Sequence, residues 1–191
     1  GWHPYLPPLI NGKWDLHAPP PESQFHVELT LPKPFHVVAS TAYLREDQAA
    51  TQKIVSKAPL PFFSLSLGKE VVHEEIKVDA VTLSYTGPIQ NHKYGKQVLD
   101  AAERATSFFL SEWGTLPVIE LQLAHAYLHQ DLVTPGARLL FVNSKLFKVL
   151  SPLKRFHESR IAKGVFLLLL QELLPWEEPW AVETMSSLLV N

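Results

Sequence analysis

A histidine followed directly by a glutamate, His157-Glu158, lies in "SPLKRFHESRIAKG", residues 151–164. On a helix such a pair is half of an H-E-x-x-H motif. Two imidazoles one turn apart clamp a divalent metal from one face, and the glutamate beside the first reaches the metal-bound water as general base. Here the string is His157-Glu158-Ser159-Arg160-Ile161, so an aliphatic side chain stands where the second imidazole belongs. A catalytic zinc takes three protein ligands and a water. The chemistry in prospect is metal-assisted hydrolysis, or a helix that keeps the frame of that chemistry without the metal. An ordinary helix also accommodates the dipeptide, because a glutamate in its early turns is favoured by the helix dipole.

The nearest substitutes for a missing ligand are His125 and His129 in "HAYLHQD", four residues apart, a spacing that serves a helix or one face of a continued strand. They lack an adjacent glutamate, and the plain reading is a pair of surface or edge histidines. His92 in "IQNHKYG" reads as a loop residue, and His3, His17, His26, His36 and His73 form no ligand spacing with one another. The chain has no cysteine, so a metal must use His, Asp or Glu, and neither a disulfide nor a thiol nucleophile is available. There is no G-x-S-x-G and no glycine-rich phosphate loop. Trp176 and Trp180 read as packing residues.

Seventeen Lys and Arg against nineteen Asp and Glu give a net charge of -2. No basic cluster tracks a phosphate backbone, which argues against nucleic acid as a partner. The longest apolar run, "GVFLLLLQELL", is bracketed by Lys163 and Glu172, well short of the roughly 20 residues of a spanning helix. It reads as a buried core helix, and no membrane-spanning segment is expected. The start "GWHPYLPPLI" carries neither the basic end nor the small-residue cleavage site of a signal peptide. The chain is expected to be a piece of something longer.

These residues need elements to position them. Residues 1–87 hold most of the 16 prolines and short alternating stretches. In "FHVELTL" Phe25, Val27, Leu29 and Leu31 share a face, and in "AVTLSY" Val81, Leu83 and Tyr85 do. Beyond them Val98, Ala102, Ala105, Phe109 and Trp113 recur at helical spacing, which predicts a helix over about 95–112 that Gly114 ends. "PVIELQLAHAY" alternates Ile119, Leu121 and Leu123 as a strand, and "RLLFVN" is a second, more buried one. Ser151-Pro152 is a good helix start and the helix should run to about Leu174. A further helix is expected in "PWAVETMSSLLVN" after Pro175 and Pro179.

At this point the sequence resembles the M1 zinc aminopeptidases of the gluzincin group, which pair H-E-x-x-H with a downstream glutamate ligand. "EPWAVETMSS" is similar to that second element, with Trp180 and Glu183 at the matching places, 183 − 161 = 22 residues beyond Ile161. "AAERATSFFLSEWGTLPVIELQL" resembles the family's helix, turn and strand, and "PGARLLFVNSKLF" falls where it has its G-x-M-E-N strand. The resemblance covers most of residues 25–191. It implies an α+β fold: a β-rich module over 1–87, like the end of the family's N-terminal domain, then the first half of a thermolysin-like catalytic domain over 88–191.

The resemblance implies zinc held by His157 and Glu183, with Glu158 as general base. Three parts depart from that pattern. Ile161 replaces a ligand, "GARLL" offers Arg138 and no glutamate for a substrate amino terminus, and the transition-state tyrosine lies beyond the eight residues that follow Glu183 (191 − 183 = 8). The leading expectation is therefore a peptidase-like domain that no longer hydrolyses peptides, with zinc absent or weakly bound. It would act as a binding or structural part of a larger protein, toward a peptide or protein partner or the remaining domains of that parent. This reading predicts Ile161 in the core. An active zinc peptidase with His125 or His129 as third ligand is the alternative. The weakest is an unrelated β-rich interaction module, which predicts Glu183 far from His157, whereas both gluzincin readings bring them together.

Overall fold

The computed structural model describes residues 9–14, 22–32, 34–39, 43–48, 51–60, 63–114, 119–129, 131–148 and 154–173. The first described element is a hairpin, β1 (Leu9–Ile10) and β2 (Lys13–Trp14), turning through Asn11 and Gly12, both at positive φ. Asn-Gly is the pair that a two-residue hairpin turn of this hand favours. Five strands follow: β3 (His26–Thr30), β4 (Phe35–Ala39), β5 (Tyr43–Gln48), β6 (Thr51–Ser56) and β7 (Leu65–Lys69). They form an antiparallel sheet in the order β3-β6-β5 and a two-stranded ribbon of β4 with β7.

The second half is built on a mixed five-stranded sheet. Its members are β8 (Val71–Val78), β9 (Val81–Pro88), β10 (Ile119–Ala126), β11 (Val133–Pro135) and β12 (Leu139–Asn143), in the order β11-β12-β10-β9-β8. β9, β10 and β12 run parallel, and the edge strands β8 and β11 are antiparallel to their neighbours. Helix α1 (His92–Trp113) makes the crossover from β9 to β10, as a parallel pair requires. Helix α2 (Lys154–Leu173) follows β12. The protein is thus α+β, and its sheet spans both sides of the division expected at residues 87 and 88.

The alternations seen in the sequence are the core. Val81, Leu83 and Tyr85 of β9 and Ile119, Leu121 and Leu123 of β10 are buried against the helices. From α1 come Val98, Ala102, Ala105 and Phe109, whereas Trp113 remains 41% exposed and stacks on Phe109 at 5.5 Å. Gly114, at φ 84, ends the helix and donates its N–H to the Leu110 carbonyl. The helix begins earlier than the spacing predicts, at His92, which corrects the loop assignment of that residue. Its Nε2 meets Glu74 Oε1 at 2.6 Å. α2 buries Ile161, Val165, Phe166, Leu168, Leu169 and Leu170. Gly164 lets it approach β11 and β12: a Cβ there would stand 2.6 Å from Leu140 Cδ1 and 2.8 Å from Val133 Cγ1. Ser151, Pro152 and the helix expected after Pro179 lie outside the described residues.

The face of the sheet away from the helices meets the β4–β7 ribbon. Neighbouring side chains on a strand point oppositely. Val38 accordingly packs on Ala124 and Leu139 of the five-stranded sheet, while Val37 packs with Ile54 and Phe63 on the other side of the ribbon. Phe25, Val27, Leu29 and Leu31, the alternating set of β3 and its flanks, are part-buried against this second cluster.

Candidate functional site

His157 is the fourth residue of α2 and Ile161 follows one turn later on the same stripe. That stripe, continued by Val165 and Leu168, enters the core, where Ile161 is 4% exposed. His157 therefore sits at the half-buried mouth of an apolar stripe, and the loss of solvent lowers its pKa below the ordinary histidine value. Glu158 projects some 100° further round the helix. There its Oε1 lies 3.0 Å from Arg104 Nη2 of α1 and 3.8 Å from Lys154 Nζ one turn earlier. The carboxylate closes one wall of a shallow cleft between α1 and α2, with Phe108, Ala162 and Phe166 in its lining.

His125 is on β10, which is the central strand of the sheet, and is 8% exposed. This corrects the reading of His125 as a surface or edge residue: "HAYLHQD" begins inside the sheet. Its ring meets Tyr127 edge-on at 5.1 Å, burial lowers its pKa, and its backbone carbonyl accepts from Ser66 Oγ at 3.0 Å. His129 is exposed three residues beyond the end of β10, where its carbonyl accepts from Lys145 Nζ at 3.3 Å. The strand does not continue far enough to place both histidines on one face.

Glu183 lies outside the described residues. Among the described residues no group of three or more His, Asp or Glu is placed to hold a metal ion. α2 contributes one imidazole toward its buried stripe, and the next donor position is filled by a hydrocarbon. That donor set does not fit a three-ligand catalytic zinc. The "GARLL" stretch is a tight turn into β12, closed by Gly136 N–H to the Leu139 carbonyl at 2.7 Å, with Arg138 at φ 53.

Two openings lie where sequence spacing gave no signal, between the β4–β7 ribbon and the sheet. The larger is a cleft of about 800 Å³ at the carboxyl ends of β9 and β10, lined by Phe35, Lys69, Gln90, His125, Tyr127 and Phe141 among others. The smaller, about 270 Å³, brings His36, His73, Thr86 and Gln122 together. These four come from four strands, so only the strand pairing assembles them. Comparison with models of known protein families and with curated proteins finds no match. Among the described residues, no helix is long and apolar enough to cross a membrane.

Proposed function

We propose that this chain is a gluzincin-like segment, related to the M1 zinc peptidases, in which the metal-binding helix has become a packing helix. It does not hydrolyse peptides, and it serves as a binding or structural part of a larger protein. The observation that carries this reading is the burial of Ile161. A side chain at 4% exposure within the main core stabilises the fold by roughly 1.5–3 kcal/mol where a ligand would be needed. The pairing of Glu158 with Arg104 supports it, since that carboxylate is engaged by a guanidinium and an ammonium. The order of α1, β10, β12 and the helix bearing His157 also matches the helix, strand, strand and helix that the resemblance implies.

The test is zinc calorimetry on the metal-stripped chain beside His157→Ala and Ile161→His, with a peptide-hydrolysis assay. The expected result is that wild type has no zinc site dependent on His157, that Ile161→His gains one, and that no peptide is cleaved. Tight zinc binding by wild type that His157→Ala abolishes, with cleavage of peptides, would overturn the reading.

A further inference from the structure

We propose that the outer edge of β8 pairs antiparallel with the same strand of a second copy of this chain, joining two five-stranded sheets through an interface centred on Ile76. The inference goes beyond the reading of α2 and uses none of its residues.

β8 is the border of the sheet and is bonded to β9 alone among the described residues. Its hairpin turn is two residues long, Asp79 and Ala80, with Val78 opposite Val81. In such a hairpin the closing pair exchanges both backbone bonds, and hydrogen-bonded pairs then recur at every second residue. Ile76, Glu74 and Val72 therefore turn their backbone groups toward β9. The Ile89 N–H, donating to the Glu70 carbonyl at 2.9 Å, continues the same series. Val71, His73, Glu75 and Lys77 turn theirs outward. They form a row of donors and acceptors that no described strand meets, of the kind that recruits another strand.

The side chains of β8 select the partner. His73, Glu75 and Lys77 are exposed on one face, while Ile76 and Val78 on the other pack on the main core. Bonds between two such edges need outward groups on both strands, so odd-numbered residues must meet odd-numbered ones and a symmetric pairing is centred on a residue. Centred on Glu74, Glu75 or Lys77, the pairing sets like charges opposite each other, which destabilises it. Centred on Val72 or His73, it leaves Lys77 outside the ladder. Centred on Ile76, it sets Glu75 of each copy opposite Lys77 of the other, with Ile76 against Ile76 between them and His73 level with Asp79. Among the described residues Lys77 makes no ion pair within its own chain, and Glu75 has only His73 Nε2 beside it, at 4.0 Å. The stretch Glu75-Ile76-Lys77 is thus its own antiparallel complement, and the occupant it fits is a second copy related by a twofold axis. The ladder is short, so the dimer belongs to the weak class.

The experiment is sedimentation equilibrium of the full chain over a concentration series. It compares wild type, Glu75→Lys, Lys77→Glu, both substitutions in one chain, and an equal mixture of the two single variants. Wild type is expected to show a reversible monomer–dimer equilibrium. Each single variant sets like charges opposite each other twice and should weaken that equilibrium at least about tenfold. The double variant should regain the wild-type constant. The mixture should form a heterodimer although neither of its components pairs well with itself. Glu75 and Lys77 are exposed, so the single variants keep the fold, and recovery in the mixture demonstrates it. A wild type that is monomeric throughout, a dimer indifferent to both single substitutions, or a failure of both the double variant and the mixture to recover would overturn the proposal.

Discussion

Arg104 Nη2 on α1 and Glu158 Oε1 on α2 stand 3.0 Å apart, an ion pair that bridges the two helices at the mouth of their shared cleft. Both partners are partly solvated, with side chains 59% and 33% exposed, so screening limits the strength of the pair. A double-mutant cycle of Arg104→Ala with Glu158→Gln, read by urea unfolding, should return a coupling of about 0.2–1 kcal/mol that shrinks as salt is raised. A coupling of several kcal/mol would mean the pair is a buried structural lock.

Gly164 sets two opposed effects against each other. Alanine is favoured over glycine inside a helix by about 1 kcal/mol. Its Cβ, however, would stand 2.6 Å from Leu140 Cδ1 and 2.8 Å from Val133 Cγ1, and overpacking of that kind costs about 1–3 kcal/mol. Gly164→Ala is expected to lower stability, and a rise in the denaturation midpoint would show that α2 has room to lift from β12.

Tyr85 is fully buried, and its hydroxyl has no hydrogen-bond partner among the described residues. Burial, with the charge of Glu74 as a smaller cause, pushes its pKa far above the ordinary tyrosine range. Tyr85→Phe removes the unsatisfied group and keeps the ring, so it should leave stability unchanged or raise it by about 1 kcal/mol. Gly95→Ala should do the reverse, since a Cβ there would lie 2.6 Å from the same ring. A clear loss of stability in Tyr85→Phe would reveal a partner for the hydroxyl.

His125 and His157 both have folded-state pKa values lowered by burial, so the unfolded chain binds protons more readily than the folded one. Their contribution to stability is complete above about pH 6.5. It is lost as pH falls from there toward the lowered folded values. Unfolding free energies measured between pH 7.5 and 5 should therefore decline toward acid, and His125→Gln should flatten that decline. An unchanged slope in the variant would place the proton uptake elsewhere.

The elements with strong local patterning were legible in the sequence. Val81, Leu83 and Tyr85, then Ile119, Leu121 and Leu123, alternate because one face of each strand meets the helices. The α1 spacing marks a stripe that does reach the core, except at Trp113, the last residue of the helix, which stays exposed. Other features are products of long-range pairing. His36 and His73 belong to different strands that no spacing rule connects. His125 looked peripheral because it was read as a pair with His129 past the alternating part of a strand, yet β10 has a parallel neighbour on either side. The start of α1 at His92 was hidden because Asn91 makes no side-chain cap, and the contact that marks the first turn comes from Glu74 on β8. At α2 one position was legible: Ile161 announced an apolar contact, and the core supplies it.

The parallel pairing of β9 with β10 also decides how this protein can be dissected. β10 is hydrogen-bonded on one side to β9 and on the other to β12. A fragment beginning at residue 88 would keep both helices and lose that flank. Its central strand would become a bare border, open to pairing with copies of itself. An independently folding piece has to begin ahead of Val71, so that β8 and β9 travel with the helices they cover. The smallest autonomous unit is therefore defined by the sheet, and poor solubility of a shorter piece would be a property of the cut.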